Sequence, residues 1–544
     1  VYGNMMQQPL LISSLLQHAE RHHRDAEIVS RRTEGGVFRY TYADLAARCR
    51  RLANVLQGLG IQQGSRVGTL AWNGYRHMEL YYAVSGHGAV VHTLNPRLHP
   101  DQVVWIADHA QDEVLFFDTT FLPLVEAIAD RLKTVKAFVL MTERQHMPQD
   151  SKISNLLCYE DLLENASSVY AWPGLDENSA SGLCYTSGTT GNPKGVLYSH
   201  RSTILHSFAV ALPDGMNCSA TDTILPVVPM FHVNAWGLPY VACMVGAKLV
   251  LPGPNLDGQS LYTLFEAEGV TLAAGVPTIW QGLLTYMREN GKRFTTLRRT
   301  GIGGSACPPS MIRTFQQEYG VQVMHGWGMT ETSPLVTMGV LKDKHTGQDP
   351  EKTLALQAKQ GRAMFGVDIK VLGDDGNEIA WDGKTPGELM VRGNWVVSSY
   401  FLSDETATLV DGWFPTGDVA TIDADGYMQI TDRTKDLIKS GGEWISSIEV
   451  ENIAVGHPGV AMAACIAMPD LKWAERPLLV VIRKPQMDLR EDELLQFFEG
   501  KIAKWSIPDE VVFVDQIPLG ATGKMLKNKL RESLATHKMR VRAK

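Results

Sequence analysis

The stretch YTSGTTGNPKG, residues 185–195, carries the residue types needed to hold an anion. Ser187, Thr189 and Thr190 offer hydroxyl donors, with Thr186 beside them. Gly188, Gly191 and Gly195 let backbone N–H groups approach a charged oxygen closely, and Lys194 adds a full positive charge. The chemistry is phosphate binding. It is not the G-x-x-x-x-G-K-S/T loop, because the glycine spacing differs and neither Ser nor Thr follows the lysine. The same composition also suits a plain Ser/Thr/Gly surface loop, so the reading depends on what else the chain contains. A second glycine cluster, GIGGSA at 301–306, fits the dinucleotide spacing G-x-G-x-x-A. It follows TTLRRT rather than an apolar strand, and a nicotinamide site is not expected there. Neither G-x-S-x-G nor H-E-x-x-H occurs, so serine-hydrolase and zinc-protease readings have no support.

The elements that must position such a loop are legible in outline. From Thr41 to Gly60 apolar residues recur at Leu45, Cys49, Leu52, Leu56 and Leu59, which predicts one helix with Thr41 and Asp44 as its N-cap pair and Gly60 as its stop. Short apolar runs at 66–71, 89–94, 113–118 and 135–141 alternate with helix-like stretches, the rhythm of βα units and a mostly parallel sheet. The rhythm resumes after residue 220. Between 410 and 446 the composition turns to Gly, Asp and Lys. Apolar runs at 460–468 and 478–482 and an amphipathic helix around 490–505 follow. The expected fold class is α/β: a large multi-subdomain N-terminal domain (1–431) with mostly parallel sheets, a hinge (432–436) and a small mobile α+β C-terminal domain (437–544).

Bulk properties narrow the partners. The 544 residues are 44% hydrophobic, and 59 Asp+Glu against 51 Lys+Arg leave a formal charge of −8, which points away from nucleic acid and anionic membranes. Any positive charge for phosphate must be local. The seven cysteines are scattered without a C-x-x-C pair, which favours reduced thiols over a disulfide framework or a zinc site. The first twenty residues lack a basic start and an unbroken apolar stretch, against a secretory leader. The most apolar region, 224–254, carries five prolines as well as His232, Asn234 and Lys248, against a membrane span. A cytoplasmic location is expected.

The phosphate loop is followed in order by MFHVNAW (230–236), HGWGMTETSP (325–334), DGWFPTGD (411–418), DRTKDLIKSGGEWIS (432–446) and PLGATGKMLK (518–527). These ordered blocks resemble the adenylate-forming superfamily of acyl- and aryl-CoA synthetases, peptide-synthetase adenylation domains and beetle luciferases. The resemblance spans the whole chain. The blocks around 227–240 and 438–446 are most similar to medium- and long-chain fatty acyl-CoA synthetases and 3-methylmercaptopropionate-CoA ligases.

The resemblance implies ATP, Mg²⁺ and CoA as the small molecules handled, a carboxylic acid as co-substrate and a homodimeric assembly. It implies that Thr330 contacts the α-phosphate and that Glu331 holds Mg²⁺, a hard cation suited to oxygen ligands. Trp327 stands where the family usually has a tyrosine beside adenine, and its indole offers an equal or larger flat face. Asp418 takes the place of the aspartate that accepts the ribose hydroxyls, and Arg433 that of an arginine near ribose and phosphate. Lys524 matches the lysine that bridges carboxylate and α-phosphate during adenylation. Lys435 holds the hinge position. Rotation there would withdraw Lys524 and present Lys439, Gly441, Gly442, Glu443 and Trp444, with the pantetheine arm passing over Gly442. His232 and Trp236 match an acid-site histidine and a gate tryptophan, and Gly303, Gly304 and Ser305 line the acyl pocket and nucleotide site.

The resemblance leaves rivals. An amino-acid-activating domain would carry an aspartate shortly after Phe231, where His232, Val233 and Asn234 stand instead. Another carboxylate-adenylating enzyme with a different acceptor, or a non-catalytic nucleotide sensor, also remains, although a sensor would be expected to lack Glu331 or Lys524, and both are present. No cationic residue falls at an obvious pocket position, so the acid's tail is expected to be apolar.

Overall fold

Alternating strands and helices assemble into parallel sheets because each right-handed crossover returns a helix to the sheet face. The computed structural model describes residues 1, 3–186, 193–403, 409–433, 436–440, 443–470, 473–520, 525–537 and 539. Ser187, Gly188, Thr189, Thr190 and Gly191 lie outside the described residues, as do Lys435, Gly441, Gly442 and Lys524. For Lys439, Glu443 and Trp444 only the backbone is described.

The chain forms a large N-terminal domain of mostly parallel sheets and a small C-terminal domain. A seven-stranded sheet runs in the order Leu157–Cys158, Ala137–Leu140, Asp112–Phe117, Arg66–Leu70, Val90–Thr93, Ala180–Tyr185 and Gly195–Ser199. Its last two strands are an antiparallel pair that brackets the phosphate loop. A nine-stranded sheet holds Thr223–Pro226, Lys248–Leu251, Leu272–Gly275, Arg299–Ile302 and Gln322–Gly328 as parallel neighbours at its centre. A four-stranded antiparallel sheet of Val367–Leu372, Gly387–Gly393, Phe414–Ile422 and Met428–Arg433 completes the large domain. The C-terminal sheet is built on the long hairpin Val460–Asp470 and Ala474–Arg483, with its own buried cores around Cys465, Leu479 and Phe498 and around Ala464, Val480 and Leu530.

The predicted helix at 41–60 is Tyr42–Gly58, opened by a reciprocal capping box between Thr41 and Asp44. The predicted strands in 66–141 are present within a residue or two of their expected bounds. Two expectations need correction. The helix around 490–505 covers only Glu491–Phe497, and Gly500 adopts φ +75° soon after, a left-handed turn that stops it. The segment TTLRRTGI does contain a strand, Arg299–Ile302, at the centre of the nine-stranded sheet. Its polar residues hid it: the Arg299 guanidinium is 2.9 Å from Asp222, which lets a charged side chain sit in a central strand. Among the described residues no helix is long and apolar enough to cross a membrane, and all seven cysteines are buried and unpaired.

The two parallel sheets are joined where it matters for the site. Asn73, 4% exposed, follows the strand Arg66–Leu70. Its amide nitrogen donates to the carbonyls of Pro226 (2.9 Å) and Val228 (2.8 Å), and its amide oxygen accepts from the Met230 N–H (2.6 Å). The Tyr81 hydroxyl also donates to the Met230 carbonyl. These bonds satisfy buried backbone on the segment that leads into His232. Asn73→Ala should lower unfolding free energy by about 2–4 kcal/mol, from three buried partners left unmatched. Denaturant titration checks this, and a loss under half a kcal/mol would mean that water replaces the amide without cost.

Candidate functional site

The strands Ala180–Tyr185 and Gly195–Ser199 close on each other at the base of the phosphate loop: the Thr186 N–H donates to the Lys194 carbonyl at 2.9 Å, and the Lys194 N–H donates to the Thr186 hydroxyl at 3.2 Å. That clasp opens onto a cavity of about 970 Å³. Thr186, Lys194, His232, Trp236, Gly303, Gly304, Trp327, Thr330, Glu331 and Arg433 all border it. Ser305, exposed at the end of the same turn, is not among the residues bordering it.

Thr330 and Glu331, each 7% exposed, are held by hydrogen bonds from tyrosine hydroxyls and backbone. The Tyr198 hydroxyl donates to the Thr330 carbonyl at 2.7 Å, and the Val397 N–H donates to the Glu331 carbonyl at 2.8 Å. The Tyr400 hydroxyl donates to Glu331 Oε1 at 2.8 Å, and the Lys194 ammonium sits 4.7 Å from the centre of the same Tyr400 ring. One tyrosine therefore links the loop lysine to the buried carboxylate by a hydrogen bond and a cation–π contact. Neither Tyr198 nor Tyr400 stands out in the sequence, because nothing in their spacing connects them to the blocks they support.

Asp418, 3% exposed, accepts from Trp327 Nε1–H at 2.9 Å through one oxygen and pairs with Arg433 Nε at 3.0 Å through the other. The two strands place them opposite each other, Asp418 paired with Arg433 in register. The indole thus supplies the carboxylate with a donor that it fixes in place. Each carboxylate oxygen has two acceptor positions, so capacity for further donors remains.

Glycines allow backbone and rings to meet here. A Cβ on Gly303 would lie 2.9 Å from the Gly326 carbonyl oxygen and 3.2 Å from the Trp236 ring, and one on Gly328 would overlap the Pro334 carbonyl at 2.0 Å. Trp236 itself ends a rare feature: Val233, Asn234, Ala235 and Trp236 all have φ between +46° and +56°, followed by Gly237 at +79°. A left-handed turn of ordinary residues costs about 1–2 kcal/mol per residue, and surrounding packing holds it together; all five residues are buried. His325 is locked in a supporting role. Burial pushes its pKa down to about 4, its Nε2 accepts from the Cys307 N–H at 3.2 Å, and its Nδ1 is 3.0 Å from the Ala358 carbonyl.

The far end of the cavity is apolar. Met216 lies 3.2 Å from where a Gly301 side chain would begin, Met324 is the register partner of Gly301, and Met338 is that of Gly326. All three methionines border the cavity and are at most 2% exposed.

The C-terminal domain closes the opposite side. Gly520 and Met525 border the cavity on either side of the segment that holds Lys524, as do Asp436, Lys527 and Arg531. The Lys527 ammonium is 2.7 Å from Glu451. Burial works against its charge, but the Glu451 and Asp432 carboxylates outweigh that and hold its pKa above the ordinary lysine value. Arg531 pairs with Asp436. The strands Ile438–Ser440 and Glu443–Ile445 pair with Lys439 opposite Trp444, and their described residues do not border the cavity. Gly520 and residues in 525–531 thus come together with Thr330 and Glu331, while the described residues of 438–445 do not.

The sequence profile of the AMP-binding enzyme family matches residues 15–401, and that of the AMP-binding enzyme C-terminal domain matches residues 449–524. The chain is 58% identical over 530 residues to a 3-methylmercaptopropionyl-CoA ligase of Ruegeria lacuscaerulensis, covering 97% of this chain and 98% of that protein. It is 53% identical to a medium-chain-fatty-acid–CoA ligase of Ectopseudomonas oleovorans, covering 97% of both. Among solved structures, ATP-bound MatB from Rhodopseudomonas palustris superposes with a TM-score of 0.81 at 25% identity, covering 97% of this chain and 99% of that one.

Trp327→Phe keeps a flat ring and removes only the donor to Asp418. Calorimetry with AMP should show a dissociation constant raised about two- to tenfold, the value of one net hydrogen bond. An unchanged constant would mean that the indole N–H does not orient Asp418.

Proposed function

The chain belongs to the family of AMP-binding enzymes, and from that membership we propose an AMP-forming acyl-CoA synthetase that acts on a medium-chain fatty acid or a short thioether acid such as 3-methylmercaptopropionate. The observation that carries the substrate reading is a single cavity with Lys194, Thr330 and Glu331 on one side and the Met216–Met324–Met338 floor on another. A charged head and an apolar tail can be accommodated there at once. The absence of Asp near Phe231 argues against an amino acid as the tail.

The first reaction sets a carboxylate against the α-phosphate, negative charge against negative charge. A carboxylate oxygen bonds to the α-phosphorus and the bond to the bridging oxygen breaks, releasing pyrophosphate and leaving an acyl-AMP. In our reading Thr330 donates to the α-phosphate, Lys194 and the loop that follows Thr186 hold the terminal phosphates, and Asp418 accepts the ribose hydroxyls, with Arg433 and Trp327 fixing its orientation. Fixed donors are worth more here than in water because they need no reorganisation as charge moves. Lys524 is assigned to the bridge between carboxylate and α-phosphate, on the support of Gly520 and Met525 bordering the cavity on either side of it.

Glu331 suits a magnesium ion that arrives with the nucleotide. It is one buried carboxylate beside a hydroxyl residue, and among the described residues no group of three ligating side chains could hold a resident metal. When bound, Mg²⁺ supplies charge neutralisation on the phosphates. Glu331 is kept in place for this by Tyr400 and by the backbone bond from Val397.

The second reaction transfers the acyl group from AMP to the CoA thiol: the thiol gives up its proton to solvent, sulfur bonds to the carbonyl carbon, and the bond from that carbon to the phosphate oxygen breaks, so that AMP leaves with the electron pair. We assign it to a rotation at 432–436 between domain 1–431 and domain 437–544, which would remove the 520–531 side and bring in Lys439, Gly441, Gly442, Glu443 and Trp444. The Ser446 hydroxyl donates to the Thr431 carbonyl and the Ser447 N–H donates to Asp432 at 2.7 Å. These bonds span the proposed hinge and would be exchanged on rotation. A homodimeric assembly and a cytoplasmic location belong to the same proposal and rest on the family resemblance.

A panel of acids from C3 to C16, with 3-methylmercaptopropionate, tests the substrate. AMP release dependent on acid and CoA should rise about fourfold in kcat/KM per methylene until the floor is reached, from about 0.8 kcal/mol per buried CH₂. Met216→Ala should move the optimum to longer chains. A flat profile, or an optimum unmoved by Met216→Ala, would contradict the assignment of the floor.

A further inference from the structure

Trp105 and His109 are among the aromatic residues that border the cavity from outside the sequence blocks. Trp105 and His109 lie one turn apart on the helix Pro100–Ala110, and their rings stack at 4.8 Å with 17° between planes. The His109 Nδ1 is 2.6 Å from the Tyr185 hydroxyl. Burial holds that phenol well above its usual pKa, so it remains a donor at neutral pH. Among the described residues His109 is the one hydrogen-bond partner of the Tyr185 hydroxyl. With the hydroxyl donating to Nδ1, the ring proton resides on Nε2. That tautomer leaves one N–H to offer, on a ring that borders the cavity.

Its place is the root of the phosphate loop. Tyr185 ends the strand before the loop, and Gly195 opens the strand after it. A Cβ on Gly195 would lie 3.1 Å from the Tyr185 ring and 3.1 Å from Phe401, whose N–H donates to the Gly195 carbonyl at 2.8 Å. The Phe401 ring is in turn 6.1 Å from that of His109. His109 thus contacts one end of the segment that carries Lys194 directly, through Tyr185, and is linked to the other through Phe401.

We propose that His109 Nε2–H binds a non-bridging oxygen of the β- or γ-phosphate of ATP, and then of the leaving pyrophosphate, with Trp105 holding the ring in plane. The proposal rests on the cavity being the nucleotide site of an AMP-forming ligase. It adds a binding residue for the half of the nucleotide that departs, and so it separates from the thioester step, in which pyrophosphate takes no part.

The experiment compares His109→Asn, whose amide reaches only the Nδ1 position and so keeps the Tyr185 contact, with His109→Gln, whose amide nitrogen reaches the Nε2 position. Both full-length variants are assayed for acid-dependent ATP–pyrophosphate exchange, for inhibition by pyrophosphate and for thioester formation from supplied acyl-AMP and CoA. His109→Asn should raise the KM for ATP and the inhibition constant for pyrophosphate about tenfold or more, as expected for one hydrogen bond to a charged group. His109→Gln should recover most of that loss, and thioester formation should stay within about twofold of wild type in both, since it lacks this contact. Asparagine behaving as wild type, both half-reactions falling together, or the thioester step alone falling would each overturn the proposal. The last result would place CoA there instead. Absence of exchange in the wild-type enzyme would count against the ligase reading itself.

Discussion

A carboxylate and a triphosphate repel each other, and the construction of the cavity answers that repulsion. The chain as a whole is acidic, so the positive charge that gathers the two anions must be concentrated and held in place. Among the described residues, each lysine and arginine on the cavity wall is matched to a partner that orients it. Lys194 lies over the Tyr400 ring, Arg433 pairs with Asp418, Lys527 with Glu451 and Arg531 with Asp436. Partnering lowers the net field but removes the cost of ordering long flexible side chains when the substrate arrives. The same tyrosine that holds Lys194 also bonds Glu331, so Lys194 and the 330–331 turn share one anchor.

Close approach is the second requirement, and it is met by backbone. Gly303 and Gly328 sit where any side chain would collide with a carbonyl, and the left-handed turn at 233–237 presents Trp236 to Gly303 at the expense of several strained residues. Such strain persists only where packing over-determines it. Asn73 and Tyr81, from the loop and helix that follow the strand Arg66–Leu70, hold the segment that precedes the turn. The methionine-lined part of the cavity is the opposite in character. Methionines are unbranched and adaptable, which suits tails of differing length better than a rigid aliphatic wall would.

Periodicity was sufficient for elements whose burial follows apolar residues: the helix after Thr41 and the early parallel strands. It failed at Arg299–Ile302, where a central strand is made tolerable by an ion pair with Asp222, a residue distant in sequence. It overran at the helix beginning with Glu491, because apolar spacing continued past a glycine whose conformation ends the helix. The cavity wall was legible wherever residues stand inside ordered blocks, as with Thr330, Trp327 and Arg433. Tyr400 and His109, which border the cavity, and Tyr198 and Asn73, which bond to residues of its wall, were not, since each meets the site by tertiary folding from a stretch with no spacing signature. The departure at Trp327 gained a meaning only in three dimensions, where the indole N–H meets Asp418.

The central claim is that one nucleotide serves two successive reactions in one cavity, with the C-terminal domain exchanging which of its loops faces it. Lys524→Ala measured separately in the two half-reactions tests this most directly. The account predicts loss of acid-dependent ATP–pyrophosphate exchange with near-normal conversion of supplied acyl-AMP to acyl-CoA. Equal loss of both, in a protein that remains folded, would contradict it.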